Sequence, residues 1–452
     1  MLTAVYATVA IAALLILALV SGRLLDLVLF TFFASLVISP LALYRFESYT
    51  SHVGISPGTP TIFTYTVVLI LFLGWCCATG RMPFDQRWIP FVLGCLIFML
   101  FVWNVNSVTL SGCVHLLTGA LAAGMGYVLA AGAYSQRFRE SLARVILLIS
   151  SIEFAVCVSQ LFGVSNVLIS QFSVNSTTAE TTAGRIAGTT DHPGTLGKVA
   201  FLLIILSLPL FGSSSSKIRR SAQISTALLA LPLVFSEGRA NFAAVIALFV
   251  AWPIVSAFAN SRSRNPGANR RFVFAVAAVL VALGSFGIYA ARFDEDPAGG
   301  PRDRLLTVAY EQIPLRLFSG TGPNSYVDVV GRFDALTARG WPVHSVPLLA
   351  IGELGILVAS LLLLPVLLLT LRSIALAAGP FSSKETATVW LSSLPGIAII
   401  SITGWGFLSG PVFVLLCFVL GVFSANLGSR WLERKSTSVN LKTDRAPLFE
   451  NL

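Results

Sequence analysis

The chain has 452 residues, of which 56% are hydrophobic and only 11% charged, with a mean hydropathy of +0.83. Soluble domains carry about 25% charged residues, and about 20 apolar residues make one membrane crossing, so the composition excludes a soluble enzyme with a single anchor. Unbroken apolar runs exclude a β-barrel, whose strands alternate apolar and polar residues. The net charge of +10 fits basic residues gathered in cytoplasmic loops, with no nucleic-acid partner implied.

Taken in chain order, apolar runs fall at 2–20, 24–43, 61–79, 89–110, 113–133, 144–163, 194–212, 221–236, 240–258, 272–291, 346–371, 386–403 and 411–427. The first has no basic stretch before it and reads as a retained span, not a cleaved signal. The run at 221–236 is the weakest, being short and holding Pro232. Six cysteines (Cys76, Cys77, Cys95, Cys113, Cys157 and Cys417) lie in or beside these runs and read as small core residues, without a disulfide framework or zinc site. The fold expected is an all-α polytopic membrane protein of about 12–13 transmembrane helices.

Alternate loops divide the 30 basic residues into sets of 20 and ten. The richer set is cytoplasmic by the positive-inside rule, which puts the C-terminus inside. A transmembrane domain over 1–429 then carries two long outer loops, 164–193 and 292–345, the latter between the spans near 272–291 and 346–371. Connections of such length are commonly functional. In the second loop, Leu305, Ala309 and Ile313 share one face of a short helix, and the TGPNSY stretch after it reads as a turn. The tail, 430–452, is polar, mixed in charge and expected to be cytoplasmic and disordered.

Nucleotide-binding, zinc-peptidase and serine-hydrolase motifs are absent from the sequence. Ionisable residues near the membrane are therefore the candidates. Arg239, in FSEGRANFAA, stands between two apolar runs. A charge at a helix centre costs about 2.5–3.5 kcal/mol on insertion scales, and arginine cannot shed its proton. It either snorkels to the boundary or holds an anion, since a guanidinium binds phosphate oxygens two at a time. Arg185, in GRIAGTTDHPGTLG, sits where a flexible backbone lets a phosphate come close. His344, in GWPVHSVPLL, lies at the mouth of a span and on the arginines' side, where an imidazole can take a proton from a hydroxyl near neutral pH.

The remaining candidates are quieter. His192, before Pro193, reads as a loop-structuring residue. Asp294-Glu295-Asp296 reads as a solvated acidic patch and not as a metal-binding DxD, so no metal site is assigned. Glu153 and Glu353 are intramembrane carboxylates. Glu353 follows His344 by nine residues, about 900° of helix, which places it on the opposite face and argues against a direct pair.

Arg185, Gly188, His192, Pro193, Leu196 and Gly197 spell R-x-x-G then H-P-x-x-L-G. Ser236 and Arg239 spell S-x-x-R before an apolar span. His344, Ser345 and Gly355 close the long loop as H-S-x9-G, after a G-x-G turn at Gly320 and Gly322. In this order the motifs resemble the bacterial O-antigen ligase/polymerase superfamily, over about residues 180–370. Gly194 and Val358 depart from its pattern, the latter favouring the broad superfamily over the ligases.

The resemblance implies a multi-pass protein of the bacterial plasma membrane with its active site on the outer face. It implies inverting, metal-independent glycosyl transfer needing no cofactor, from an undecaprenyl-diphosphate-linked glycan donor to a glycan or glycolipid acceptor. Arg185 and Arg239 would bind substrate by neutralising the diphosphate, and His344 would activate the acceptor hydroxyl. Two alternatives stay open: a polysaccharide polymerase joining two lipid-linked glycans, and, in another class, a multi-span transporter or lipid-linked glycan flippase.

Overall fold

A computed structural model describes residues 23–37, 42–45, 54–79, 103, 105–131, 135–163, 185–190, 192–259, 268–284, 290, 302–377 and 384–443. It is 81% helical, and the protein is an all-α polytopic membrane protein. Among the described residues seven helices are long and apolar enough to cross a membrane. The expected spans at 2–20 and, for the most part, 89–110 lie outside the described residues, as do Asp294-Glu295-Asp296.

Helix α1 is Leu24–Val37. The apolar run is expected from the sequence to continue to residue 43; residues 38–41 lie outside the described residues. Ala42–Arg45 is instead a strand, β1, paired antiparallel with β2, Thr61–Phe63, in the register Ala42↔Phe63 and Arg45↔Thr61. Helix α2 is Thr64–Ala78. Helix α3, Ser107–Ala130, takes in residues expected to end the preceding span. Asn106 sets this start: its side chain accepts from Thr109 N at 2.9 Å, and the Thr109 hydroxyl accepts from Asn106 N at 2.9 Å, a reciprocal cap.

Helix α4 is Ser135–Leu161, and α5 is Pro193–Ser207, continued as a 3-10 turn over Leu208–Gly212. Helix α6 is Ser216–Phe235, so the weak run does form a helix despite Pro232. Then follow α7 (Arg239–Ala259), α8 (Ala268–Gly284), and three short helices, α9 (Arg302–Gln312), α10 (Tyr326–Val330) and α11 (Ala335–Ala338). The bundle closes with α12 (Val346–Ala377), α13 (Lys384–Thr403) and α14 (Gly410–Thr443), the last passing Arg430. Residues 444–452 of the tail lie outside the described residues.

Helix α5 is the most enclosed span, with 72% of its apolar window buried, whereas α12 has 22% and lies at the edge. Glycines set the closest helix contacts. A Cβ on Gly421 of α14 would meet the Ala123 carbonyl of α3 at 2.0 Å, and one on Gly126 would meet the Phe418 carbonyl at 2.4 Å. Small residues let backbones approach where apolar burial between helices supplies little drive.

One end of the bundle gathers 37, 54–57, 185–190, 236–238, 320–325 and 408–410. Thr189 donates to the Val37 carbonyl, Arg185 to Ser236, Ser56 N to Asn324, and Gly410 N to Ile55. Arg144 and Asp26, joined at 2.6 Å, mark the other end.

Candidate active site

The loop 185–190 is built on α4. Gly188, at φ 60°, makes the turn. Gln160 grips it from both sides: its amide donates to the Gly188 carbonyl at 2.8 Å, and its carbonyl accepts from Gly188 N at 3.0 Å. Glu153, two helical turns earlier on the same face, accepts from Thr189 N at 3.1 Å and from the Thr189 hydroxyl. Beneath the loop, Cys157, Ile186 and Leu196 form a small apolar cluster with Phe235 against it.

Arg185 enters the site from this clamped loop. Its Nε and Nη2 both donate to the Ser236 carbonyl, at 3.2 and 2.7 Å, and Nε lies 4.0 Å from the Glu237 carboxylate. Ser236 to Gly238 is the tight turn between α6 and α7. Glu237 holds a left-handed φ of 51° there, a conformation costly for a residue with a Cβ. Arg239 is the first residue of α7, half-buried. The two arginines of the sequence analysis thus meet at one turn: Arg185 holds its first residue and Arg239 follows its last.

His192 caps α5, its Nδ1 accepting from Gly194 N at 2.8 Å. An amide donates only, so this ring carries its proton on Nε2. Burial and the charges of Lys198 and Arg185 lower its pKa to about 4, keeping it neutral. Lys198 gives no signal in the sequence, because a lysine one turn into an apolar run looks like an edge. Its Nζ donates to the Gly194 carbonyl at 3.0 Å, and its charge reaches both His192 and His344.

His344 has the opposite tautomer. Its Nδ1 lies 3.0 Å from the Pro342 carbonyl, which can only accept, so Nδ1 holds the proton and Nε2 keeps its lone pair. The Trp341 ring stacks at 5.9 Å and 21°. Burial, then the charge of Arg302, lower the His344 pKa to about 4 against the Pro342 bond, with Lys198 adding to the effect. The imidazole is therefore a free base well below the neutral range expected from the sequence. Arg302, the first residue of α9, is a second cation with no signal in the sequence.

The 320–325 turn rests on a break in α12, the helix that follows His344. Gly355 has φ 74° and ψ 162° inside the helix. The break frees the Gly352 and Glu353 carbonyls, which accept from Thr321 N and Gly322 N at 2.8 Å each, while Ile356 N donates to Leu317 at 2.7 Å. A Cβ on Gly355 would stand 2.0 Å from the Phe318 carbonyl, and one on Gly320 would stand 2.3 Å from that of Glu353. The glycines of the G-x-G and H-S-x9-G motifs are thus the docking faces of two backbones. The buried Glu353 carboxylate accepts from Asn324 N at 3.0 Å, and the Asn324 amide bonds Ser56 N and the Pro57 carbonyl at 3.0 Å each.

The short helix foreseen around Leu305, Ala309 and Ile313 is α9, with Leu305 and Ala309 buried and Ile313, just past its end, buried as well. Arg304 pins it to Asp334 through Nε at 2.8 Å and Nη2 at 2.6 Å. Burial would raise the Asp334 carboxyl, but bonds from Thr337 and Arg304 outweigh it and hold the group below its ordinary range. Among the described residues no group of three or more His, Cys, Asp or Glu is gathered as metal ligands would be.

Electrostatically, Arg185, His192, Lys198, His344 and Arg302 form one series, each histidine lying under two cations. Such a site can neutralise a polyanion and accept a proton beside it. No protein-family model and no curated protein matches the chain.

Proposed function

We propose that this protein moves a glycan from undecaprenyl diphosphate to an acceptor hydroxyl on the outer face of the bacterial plasma membrane. The reading is supported foremost by His344, a neutral imidazole with an Nε2 lone pair amid cations. The acceptor oxygen attacks the anomeric carbon from the face opposite the diphosphate, whose C–O bond breaks as the new glycosidic bond forms, inverting the centre. His344 Nε2 takes the hydroxyl proton, and undecaprenyl diphosphate leaves. Its developing charge falls to Arg185 and Arg239, so no step calls for a metal. A transporter would need intramembrane carboxylates along its path; Glu153 and Glu353 are instead bonded to loop backbone.

The test is purified protein in lipid nanodiscs, given lipid-linked oligosaccharide with either a glycolipid or a second lipid-linked glycan as acceptor, with and without chelator. Wild type should transfer glycan in both conditions, and the productive acceptor separates ligase from polymerase. His344→Gln keeps a hydrogen-bonding side chain but no base and should be slower by about 10²–10⁴-fold. Near-wild-type turnover in His344→Gln would remove the base from the mechanism, and absence of transfer to either acceptor would remove the function.

A further inference from the structure

We propose that the cavity between α1 and α4, at the end of the bundle opposite the candidate active site, holds the headgroup phosphodiester of an anionic phospholipid. None of its residues belongs to the transferase site.

The cavity has a volume of about 230 Å³. Its walls are Arg23 and Asp26 at the start of α1 and Arg137, Glu140, Ser141 and Arg144 in the first three turns of α4. Arg144 Nη1 bonds Asp26 at 2.6 Å, and its Nε donates to the Glu140 carbonyl at 3.3 Å, which fixes this guanidinium in place. The Glu140 carboxylate accepts from the Gln136 amide at 3.2 Å. With three guanidinium groups and two carboxylates, the wall carries a net single positive charge, which the one negative charge of a phosphodiester balances. The start of α1, where the first intrahelical bond runs from Leu27 N to the Arg23 carbonyl at 3.1 Å, adds the positive end of a helix dipole.

The surface next to the cavity favours a lipid over a soluble anion. Arg137, Glu140 and Arg144 stand on the exposed face of α4, which continues as Leu148, 48% exposed, and Ala155. Both return to within about 40° of Arg144 around the helix. Charge above an apolar stripe on one helix face suits a headgroup above its acyl chains. The volume agrees. Pockets that enclose a whole small ligand run to about 300–1,000 Å³, so this one takes the headgroup and leaves the chains along α4. Basic pockets between transmembrane helices at the cytoplasmic leaflet, where the positive-inside rule would set this end, take such headgroups.

The experiment is native mass spectrometry of the purified full-length protein. It is titrated with phosphatidylglycerol and, in parallel, with phosphatidylethanolamine of the same chains and with inorganic phosphate. Wild type should bind one phosphatidylglycerol more tightly than phosphatidylethanolamine, and inorganic phosphate should not displace it. Arg23→Gln with Arg137→Gln spares the Arg144–Asp26 pair and should weaken phosphatidylglycerol binding by about tenfold or more. Lys217→Gln with Arg220→Gln removes the same charge from the exposed start of α6, at the same end but outside the cavity, and should bind as wild type does. Equal weakening in both double variants would reduce the effect to charge at the membrane surface and overturn the proposal. So would unchanged binding in Arg23→Gln with Arg137→Gln, equal binding of the two lipids, or displacement by inorganic phosphate. Should that double variant fail to fold, Arg23→Gln alone, at an exposed residue before α1, carries the same comparison with a smaller expected loss.

Discussion

The loop that carries Arg185 and the 320–325 turn are each tied down by a buried glutamate, yet they are held by different means. Glu153 and Gln160 clamp 185–190 with side chains reaching from an intact helix. The 320–325 turn docks backbone to backbone on the break in α12, with the Glu353 carboxylate also accepting from Asn324 N. Side-chain clamps can yield, because χ angles rotate. Two main chains in contact at glycine have nowhere to go. The loop that carries Arg185 is thus adjustable, and the turn docked on α12 is fixed.

The largest effect should come from glycine replacements. Gly355→Ala puts a Cβ 2.0 Å from a carbonyl oxygen at φ 74°, and should cost about 3 kcal/mol or more with loss of transfer. Gly188→Ala, at φ 60°, meets mainly the ends of the Glu153 and Leu196 side chains, and should cost about 1–2 kcal/mol. Thermal unfolding of both variants checks the order, and equal losses would break the contrast between the two tethers.

Next come the glutamates. Glu153→Ala removes both bonds that hold Thr189 to α4, leaving the loop a buried amide to satisfy at about 1–3 kcal/mol. It should raise donor KM through Arg185. Glu353→Ala leaves the Thr321 and Gly322 bonds in place and should leave donor KM near wild type. A reversed order would show that Glu353, not the broken helix, holds the turn.

Smaller still is the pH response. With His344 lowered to about 4, only its neutral form accepts a proton, so transfer should be flat from neutrality to about pH 5 and fall as pH passes through 4. A fall centred near 6.5, the ordinary histidine value, would show that burial and the charges of Arg302 and Lys198 do not lower the ring's pKa. Stability follows the same residues. In the unfolded chain both histidines protonate near 6.5, in the folded one near 4, so the unfolded state binds more protons between these values. Their contribution is whole above about 6.5 and is lost progressively as pH falls to 4. Urea titrations at pH 7 and 5 should show the loss, and His344→Gln should reduce it.

Much of this was legible from sequence because membranes leave few solutions for backbone. Apolar runs located the helices, and the face shared by Leu305, Ala309 and Ile313 gave α9. Boundaries failed where one side chain decided them, as Asn106 did for α3, or where an apolar run bent into a hairpin, as at Ala42–Arg45. The motif glycines were visible, but not that Gly320 and Gly355 face one another, since that contact joins residues far apart in the chain. Lys198 was hidden by its apolar neighbours. Its significance lies in the charge it shares with two histidines, one of them distant in sequence.

The break at Gly355 also divides α12 by environment. Val346, Leu349, Ala350 and Leu354 before it are buried, whereas Leu357, Leu361, Leu364, Leu368 and Leu371 beyond it are exposed. The nine residues before the break are largely buried, whereas the stretch beyond is exposed along one face and buried at Ala359, Leu369 and Ser373 on the other. Bilayers differ in thickness, and long apolar helices respond by tilting. A joint placed between the two stretches lets the lipid-facing rod lean while the short segment stays locked to Thr321 and Gly322. Leaning of the exposed rod then need not carry through to the segment that follows His344.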